Sequence, residues 1–219
     1  MDSTKWSYFT EYDEYDDVVF TDDISNNFVR NGRLHLVATK DPLNRKTSSS
    51  GRIRTYGKKS FLYGKIEVRA KIPSGDGLCP AIWMLREDHP KTIPLGEIDI
   101  MEYIECLKMK QYYTTIHIVE KEPGKEEIRH KHSTKVDTDM NRYHIYTLEW
   151  TPESLVFKLD GNISYFLYKS EAEFWPFDDP YYLILGLTYG GWGAQCGKDD
   201  SIFPCEMLVD WVKYYRLKQ

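Results

Sequence analysis

The chain has 219 residues, a formal net charge of −5, 15% aromatic residues with six Trp, and four Cys. That length suits one large domain or two small ones, long enough to bury a substantial core. The mild acidity argues against nucleic acid and anionic membranes as partners, and no apolar run nears the roughly 18 residues of a membrane span.

The opening Met1-Asp2-Ser3-Thr4-Lys5-Trp6 has no apolar stretch of the kind a signal peptide needs. Residues 2–32 are polar and acidic, with Asp16-Asp17 and Asp22-Asp23 bracketing Val18-Val19-Phe20. They read as loops with short strands, and the acids as a solvated surface rather than a metal cluster. Asn31-Gly32 is a hairpin turn signal. It leads into a strand over 33–38, with Leu34 and Leu36 on one face and His35 exposed on the other. Residues 41–50 read as a polar loop. Residues 52–57 form a strand in which Arg52, Arg54 and Tyr56 share a face. Residues 61–72 alternate Lys65, Glu67, Arg69 and Lys71 with Ile66, Val68 and Ala70, the pattern of a half-buried antiparallel strand. After the Ser74-Gly75-Asp76-Gly77 turn, a strand over 78–85 puts Cys79, Ala81, Trp83 and Leu85 on one face. Residues 86–95 are a polar loop.

The next strand organises the chain: Gly96-Glu97-Ile98-Asp99-Ile100-Met101-Glu102-Tyr103-Ile104-Glu105. Alternation puts Glu97 and Asp99 on one face and Ile98 and Ile100, with Ile104, on the other. Glu102 comes one residue late, and a β-bulge at Ile100-Met101 returns it to the acidic face. Glu97 and Glu102 are then roughly 13 Å apart at Cα. Inward-leaning side chains bring their carboxyls to about 5–5.5 Å, the spacing of a retaining glycosidase pair. Asp99 between them helps keep the glutamates in different protonation states. The structural alternative is a solvated acidic edge strand.

A strand over 111–119 pairs with the acidic strand as a hairpin, bringing His117 near Asp99. Residues 120–135 are charged and loop-like. Strands follow at 143–150, 155–159 and 163–168, then one helical turn at 170–175. Residues 181–187 are nearly all apolar and should be buried on both faces. Gly190-Gly191-Trp192-Gly193 is a loop, and a last strand spans 207–215. Many short strands with no repeat and no linker argue for an all-β, two-sheet sandwich in one domain, 1–219. The even number of cysteines permits two disulfides without fixing any. A hairpin symmetric about residue 92 would set Cys79 near Cys106, close enough for a cross-strand bond, although a one-residue slip would part them.

Glu97-Ile98-Asp99-Ile100-Met101-Glu102 resembles the Glu-x-Asp-x-x-Glu signature of glycoside hydrolase family 16, in its bulged, laminarinase-like form. Ser50-Gly51-Arg52-Ile53, Tyr63-Gly64-Lys65-Ile66-Glu67, Pro80-Ala81-Ile82-Trp83-Met84-Leu85, Leu148-Glu149-Trp150-Thr151-Pro152 and Val209-Asp210-Trp211-Val212 are similar to family segments in the same order. The resemblance implies a curved β-jelly roll of two antiparallel sheets with an open substrate groove, and a retaining endo-β-glycanase acting on a polysaccharide or oligosaccharide. The expected substrate is β-1,3 or mixed β-1,3/1,4-glucan. An endo-β-galactosidase acting on mucin-type, keratan or algal galactan glycans is the alternative within the family, and a non-catalytic sugar-binding jelly roll the alternative outside it. Carried over by position, Glu97 is the nucleophile, Glu102 the acid/base, Asp99 the assistant of Glu97 and His117 a residue tuning Glu102. Trp83 and Trp192 are sugar platforms, with Arg54 and Tyr56 at the cleft border. No cofactor is expected for catalysis. Asp210 matches a residue near the family's structural calcium, but the opening residues resemble the segment just after the family's usual first strand, so that site is expected to be weak or empty. The resemblance further implies a monomer that is secreted, periplasmic or on the cell surface. Cys79 stands where many members have Trp, Ile93 where many have Trp, and Gly186 where many have Asn.

Overall fold

The structure, a computed structural model, describes residues 1–40, 48–88, 95–106, 109–119, 127–135 and 138–217. Its strands form two sheets packed as a curved sandwich. The eight-stranded sheet runs Ser7–Tyr8, Arg52–Arg54, Tyr181–Tyr189, Leu78–Arg86, Leu95–Cys106, Met109–Val119, Glu127–Lys135, with Ser60–Phe61 also paired to Tyr181–Tyr189. The ten-stranded sheet is built around Gly64–Lys71, His144–Thr151 and Cys205–Tyr215.

Alternation decides which side chains meet between the sheets. In Gly64–Lys71, Ile66, Val68 and Ala70 are buried while Lys65, Glu67, Arg69 and Lys71 face outward. Tyr181–Tyr189 is buried throughout, as expected of a central strand with core on one face and neighbours on both edges. The core joins Ile98, Ile100, Met101 and Tyr103 of the acidic strand to Ile66, Val68, Leu148 and Trp150 of the facing sheet. Each fully buried aliphatic or aromatic side chain contributes roughly 1.5–3 kcal/mol, so the sheet that carries the acids is a rigid floor.

Asn31-Gly32 makes the expected tight turn, with φ of 52° and 75°, between Asn27–Arg30 and Arg33–Lys40. Other expectations need correction. The sheets are not wholly antiparallel, because Val18–Phe20 runs parallel to Ser48–Ser50. That pairing makes a buried strand of serines that had read as loop. The charged stretch 120–135 is not all loop: Glu127–Lys135 pairs with Met109–Val119 as the rim strand of the eight-stranded sheet. Residues 120–126, and the polar loop 86–95 beyond Asp88 up to position 94, lie outside the described residues. Among the described residues there are three 3-10 turns, Lys169–Glu171 near the expected helical turn at 170–175, and Gly191–Ala194 and Asp200–Ile202 besides. His35 is not simply exposed; it stacks on Phe28 and its Nδ1 lies 2.7 Å from Glu206.

Candidate active site

The acidic strand carries one residue too many for its neighbour. Asp99 pairs with Thr115 and Glu102 with Tyr113, so Ile100 and Met101 together face Thr114 alone. This two-against-one arrangement is a β-bulge. Both extra side chains turn into the core, and the carbonyl of Ile100 accepts a hydrogen bond from the Tyr112 hydroxyl at 3.0 Å. Beyond the bulge the parity of the strand inverts. Glu102 rejoins the face of Glu97 and Asp99, and Ile104 follows it there, packing with Cys79 and Tyr113. Ile104 was expected on the opposite face with Ile98 and Ile100.

The groove floor is a grid fixed by sheet register. Glu97 lies between Leu85 and His117, Asp99 between Trp83 and Thr115, and Glu102 between Ala81 and Tyr113. One strand further across, Tyr182, Ile184 and Gly186 lie beside Leu85, Trp83 and Ala81. Asp99 is 3% exposed, and its Oδ2 lies 3.0 Å from His117 Nε2. The Thr115 hydroxyl donates to Glu102 Oε2 at 3.3 Å. His117 thus contacts Asp99, and Thr115 contacts Glu102. Small Ala81 leaves the space beside Glu102 open, while Trp83 walls the space beside Asp99.

Glu97, Asp99, Glu102, Trp83 and Trp192 line one cavity in the groove, together with Tyr15, Asp16, Arg52, Cys79, Ala81 and Thr188. Arg54 and Tyr56 lie outside it. Arg54 is on the same sheet face beside Ile184, with its guanidinium over Phe9 and Tyr56, and Tyr56 packs edge-on against Tyr182. The arginine inside the cavity is Arg52. Its guanidinium sits 3.6 Å from the Phe20 ring centre and 5.2 Å from that of Trp83, and Nη2 donates to Thr188 at 3.2 Å. A Cβ on Gly186 would come within 3.2 Å of Trp83 and 3.3 Å of Arg52, so the missing side chain lets both lie flat on the floor.

Asp13 and Asp16 approach Arg52 at 3.7 and 3.9 Å. Asp16 is therefore not part of a solvated acidic surface. Burial and then the Asp13 charge push its carboxyl up to about 6, against the pull of Arg52 and Lys198. Nothing local in the sequence separates Asp16 from the solvated acids around it, since its partner is 36 residues away (52 − 16).

The cysteines pair differently from the expected hairpin contact. Cys106 is bonded to Cys196, with Cα atoms 5.4 Å apart, and Cys79 is a free buried thiol. The hairpin centres one residue earlier than 92, with Leu85 opposite Glu97, so even after the extra residue of the bulge Cys79 packs against Ile104, two residues short of Cys106. Burial, then the charges of Glu102, Asp16 and Asp99, push the Cys79 thiol up, so it stays protonated and apolar.

Asp210 lies away from this groove, and its carboxylate is held by Arg69. Among the described residues no group of three or more His, Cys, Asp and Glu side chains converges. A guanidinium thus already pairs with the carboxylate that the resemblance assigned to calcium.

A rigid β-floor with two glutamates flanking a buried aspartate, in an open groove walled by tryptophans, is the arrangement of a glycoside hydrolase. The family model of glycosyl hydrolases family 16 matches residues 14–213. A β-glucanase from Rhodothermus marinus is 36% identical over 213 residues, covering 88% of this chain and 71% of the relative. A keratan-sulfate endo-1,4-β-galactosidase from Sphingobacterium multivorum is 34% identical over 236 residues, covering 99% of this chain and 52% of its own length. Among solved structures, a non-specific endo-β-1,3(4)-glucanase variant with a cellobiosyl-glucose at its active site superposes with a TM-score of 0.87 at 32% identity, covering 99% of this chain and 89% of that one. The chain belongs to glycoside hydrolase family 16.

Proposed function

We propose that this protein is a retaining endo-β-glycanase that hydrolyses internal bonds of β-1,3 or mixed β-1,3/1,4-glucan. The observation that carries the reading is the bulged strand, which turns Glu97, Asp99 and Glu102 onto one face of the groove. Glu97 attacks the anomeric carbon as the leaving oxygen takes a proton from Glu102, giving a glycosyl-enzyme ester. Glu102 then removes a proton from water, which displaces Glu97 with a second inversion. Asp99, in contact with His117, lies between the two glutamates on the strand. Trp83 and Trp192 offer apolar faces for pyranose rings along the groove. An open groove lets a chain run through, which suits attack at internal bonds.

One observation favours the galactoside reading. Where Cys79 lies, the groove has a small buried thiol beside Ile104 and Tyr113 and gains no stacking surface from that position. Digestion of laminarin, barley β-glucan, keratan sulfate and agarose, with the anomer of the first product followed by NMR, decides between them. Release of β-anomeric oligosaccharides from laminarin or barley glucan supports the main reading. Cleavage of galactans alone replaces it, and α-anomeric first products refute the retaining mechanism.

The Cys106–Cys196 bond suits an oxidising compartment, which supports export to the periplasm, cell surface or medium. Among the described residues no helix is long and apolar enough to cross a membrane. The working unit proposed is a monomer.

A further inference from the structure

Trp192, unlike Trp83, does not stand on a strand. It rides a 3-10 turn, Gly191–Ala194, between Gly190 and Gly191 at φ of 139° and 43° and Gly197 at 117°. Such glycines leave a chain many alternative paths. At its near end the segment is anchored: Gly190 N donates to Gly77 O at 2.9 Å, and a Cβ on Gly193 would lie 2.7 Å from the backbone of Leu78. Beyond Ala194 the residues are exposed up to Asp200, and there the disulfide takes over. Cys196 follows Trp192 by four residues and is bonded to Cys106, four residues after Glu102 on the catalytic strand. The bond thus joins the turn that carries Trp192 to the strand that carries the acid/base. Inside that clamp the Trp192 ring meets Tyr113 edge-on at 4.7 Å, and Tyr113 is the register neighbour of Glu102.

We propose that the Cys106–Cys196 disulfide is a positioning element for substrate: it holds Trp192 over the groove at a set distance from Glu102, so that breaking the bond weakens capture of the glycan chain and leaves bond cleavage unchanged. The inference rests on the glycanase reading above for its kinetic consequence. A dithiol reductant converts the bridge to two thiols and is itself oxidised to its disulfide, and the exposed Cys196 makes the bridge accessible. Cys79 and the partly buried Cys205 take no part in the bridge.

The test compares the oxidised protein, the protein reduced with dithiothreitol, the Cys106→Ser/Cys196→Ser double variant and Trp192→Ala. On laminarin, loss of the bond should raise KM about three- to tenfold, the scale of one aromatic contact, with kcat within about twofold. Trp192→Ala should raise KM similarly, and reduction should then add little to it. A merely structural bond would lower thermal stability and leave KM alone; that result, or peptide mapping that finds Cys106 and Cys196 as thiols in the oxidised protein, overturns the proposal. Deuterium uptake over residues 190–197 reports on the tether without substrate. Faster uptake after reduction supports the proposal even if no β-glucan is cleaved, and equal uptake in the two forms overturns it even if the enzyme is active.

Discussion

Asp16 offers a quantitative test of the groove's electrostatics. Its carboxyl is a buried acid with two influences in opposition: burial and Asp13 disfavour its charge, Arg52 and Lys198 favour it. Burial wins, lifting the folded-state value from 3.8 to about 6. An acid raised in this way holds its proton more tightly when folded. Below the unfolded value both states are protonated and nothing is lost. As pH rises through the window from about 4 to about 6, the unfolded chain gives up its proton first, so stability falls; above the window the loss is complete and constant. A shift of roughly two units corresponds to about 3 kcal/mol at most, and solvent screening at the partly wet cavity wall lowers the realised value. Asp16→Asn keeps the shape that packs against Gly191 and removes the charge. Arg52 retains Asp13. Urea unfolding of both proteins should give a stability difference that grows in favour of the variant by about 1–3 kcal/mol between about pH 4 and pH 7. A difference that stays flat across that window, or that moves in favour of wild type, would mean the Arg52 pair outweighs burial and would refute the reasoning.

Three further outcomes follow from the geometry. Glu97→Gln and Glu102→Gln should each lower kcat on the preferred glycan by at least about a hundredfold with an unchanged unfolding midpoint; a variant that unfolds early would show the carboxylate to be structural. Trp83→Ala removes the wall beside Asp99 and should raise KM about three- to tenfold, checked by initial rates over a laminarin series. Because Arg69 already neutralises Asp210, millimolar calcium should move the thermal midpoint by less than about 2 °C, since an ion that does not bind the folded state adds no stability. A rise of many degrees at micromolar calcium would overturn that assignment.

The strands and the acidic face were legible because period-two alternation is a local property. Glu97, Asp99 and the displaced Glu102 declare a bulge within six residues, and Thr114 opposite Ile100-Met101 gives it the expected form. Alternation also put Trp83 on the groove face and buried Tyr181–Tyr189. What could not be read depends on contacts distant in sequence. Arg52 and Arg54 have the same parity and charge, and only the placement of Asp16, Phe20 and Gly186 decides that Arg52 enters the cavity. Ser48–Ser50 has no apolar pattern and becomes a strand only because Val18–Phe20 and Thr39–Lys40 lie alongside. The disulfide partner of Cys106 is 90 residues away, and a hairpin argument could weigh only its near neighbour Cys79.

The bulge also makes the catalytic strand unequally tolerant of changes in length. Its two faces are in phase on either side of positions 100 and 101, and both of those side chains already point into the core. Loss of one of them would close the strand into regular alternation, with Glu97, Asp99 and the former Glu102 still facing the groove and Tyr103 still facing inward. The price is one buried aliphatic side chain and the carbonyl that Tyr112 now satisfies. Loss of Ile98 instead would leave Glu97 out of phase with Asp99 and Glu102. Chain length in this strand is therefore free to drift at a single point, and that point lies between the aspartate and the acid/base.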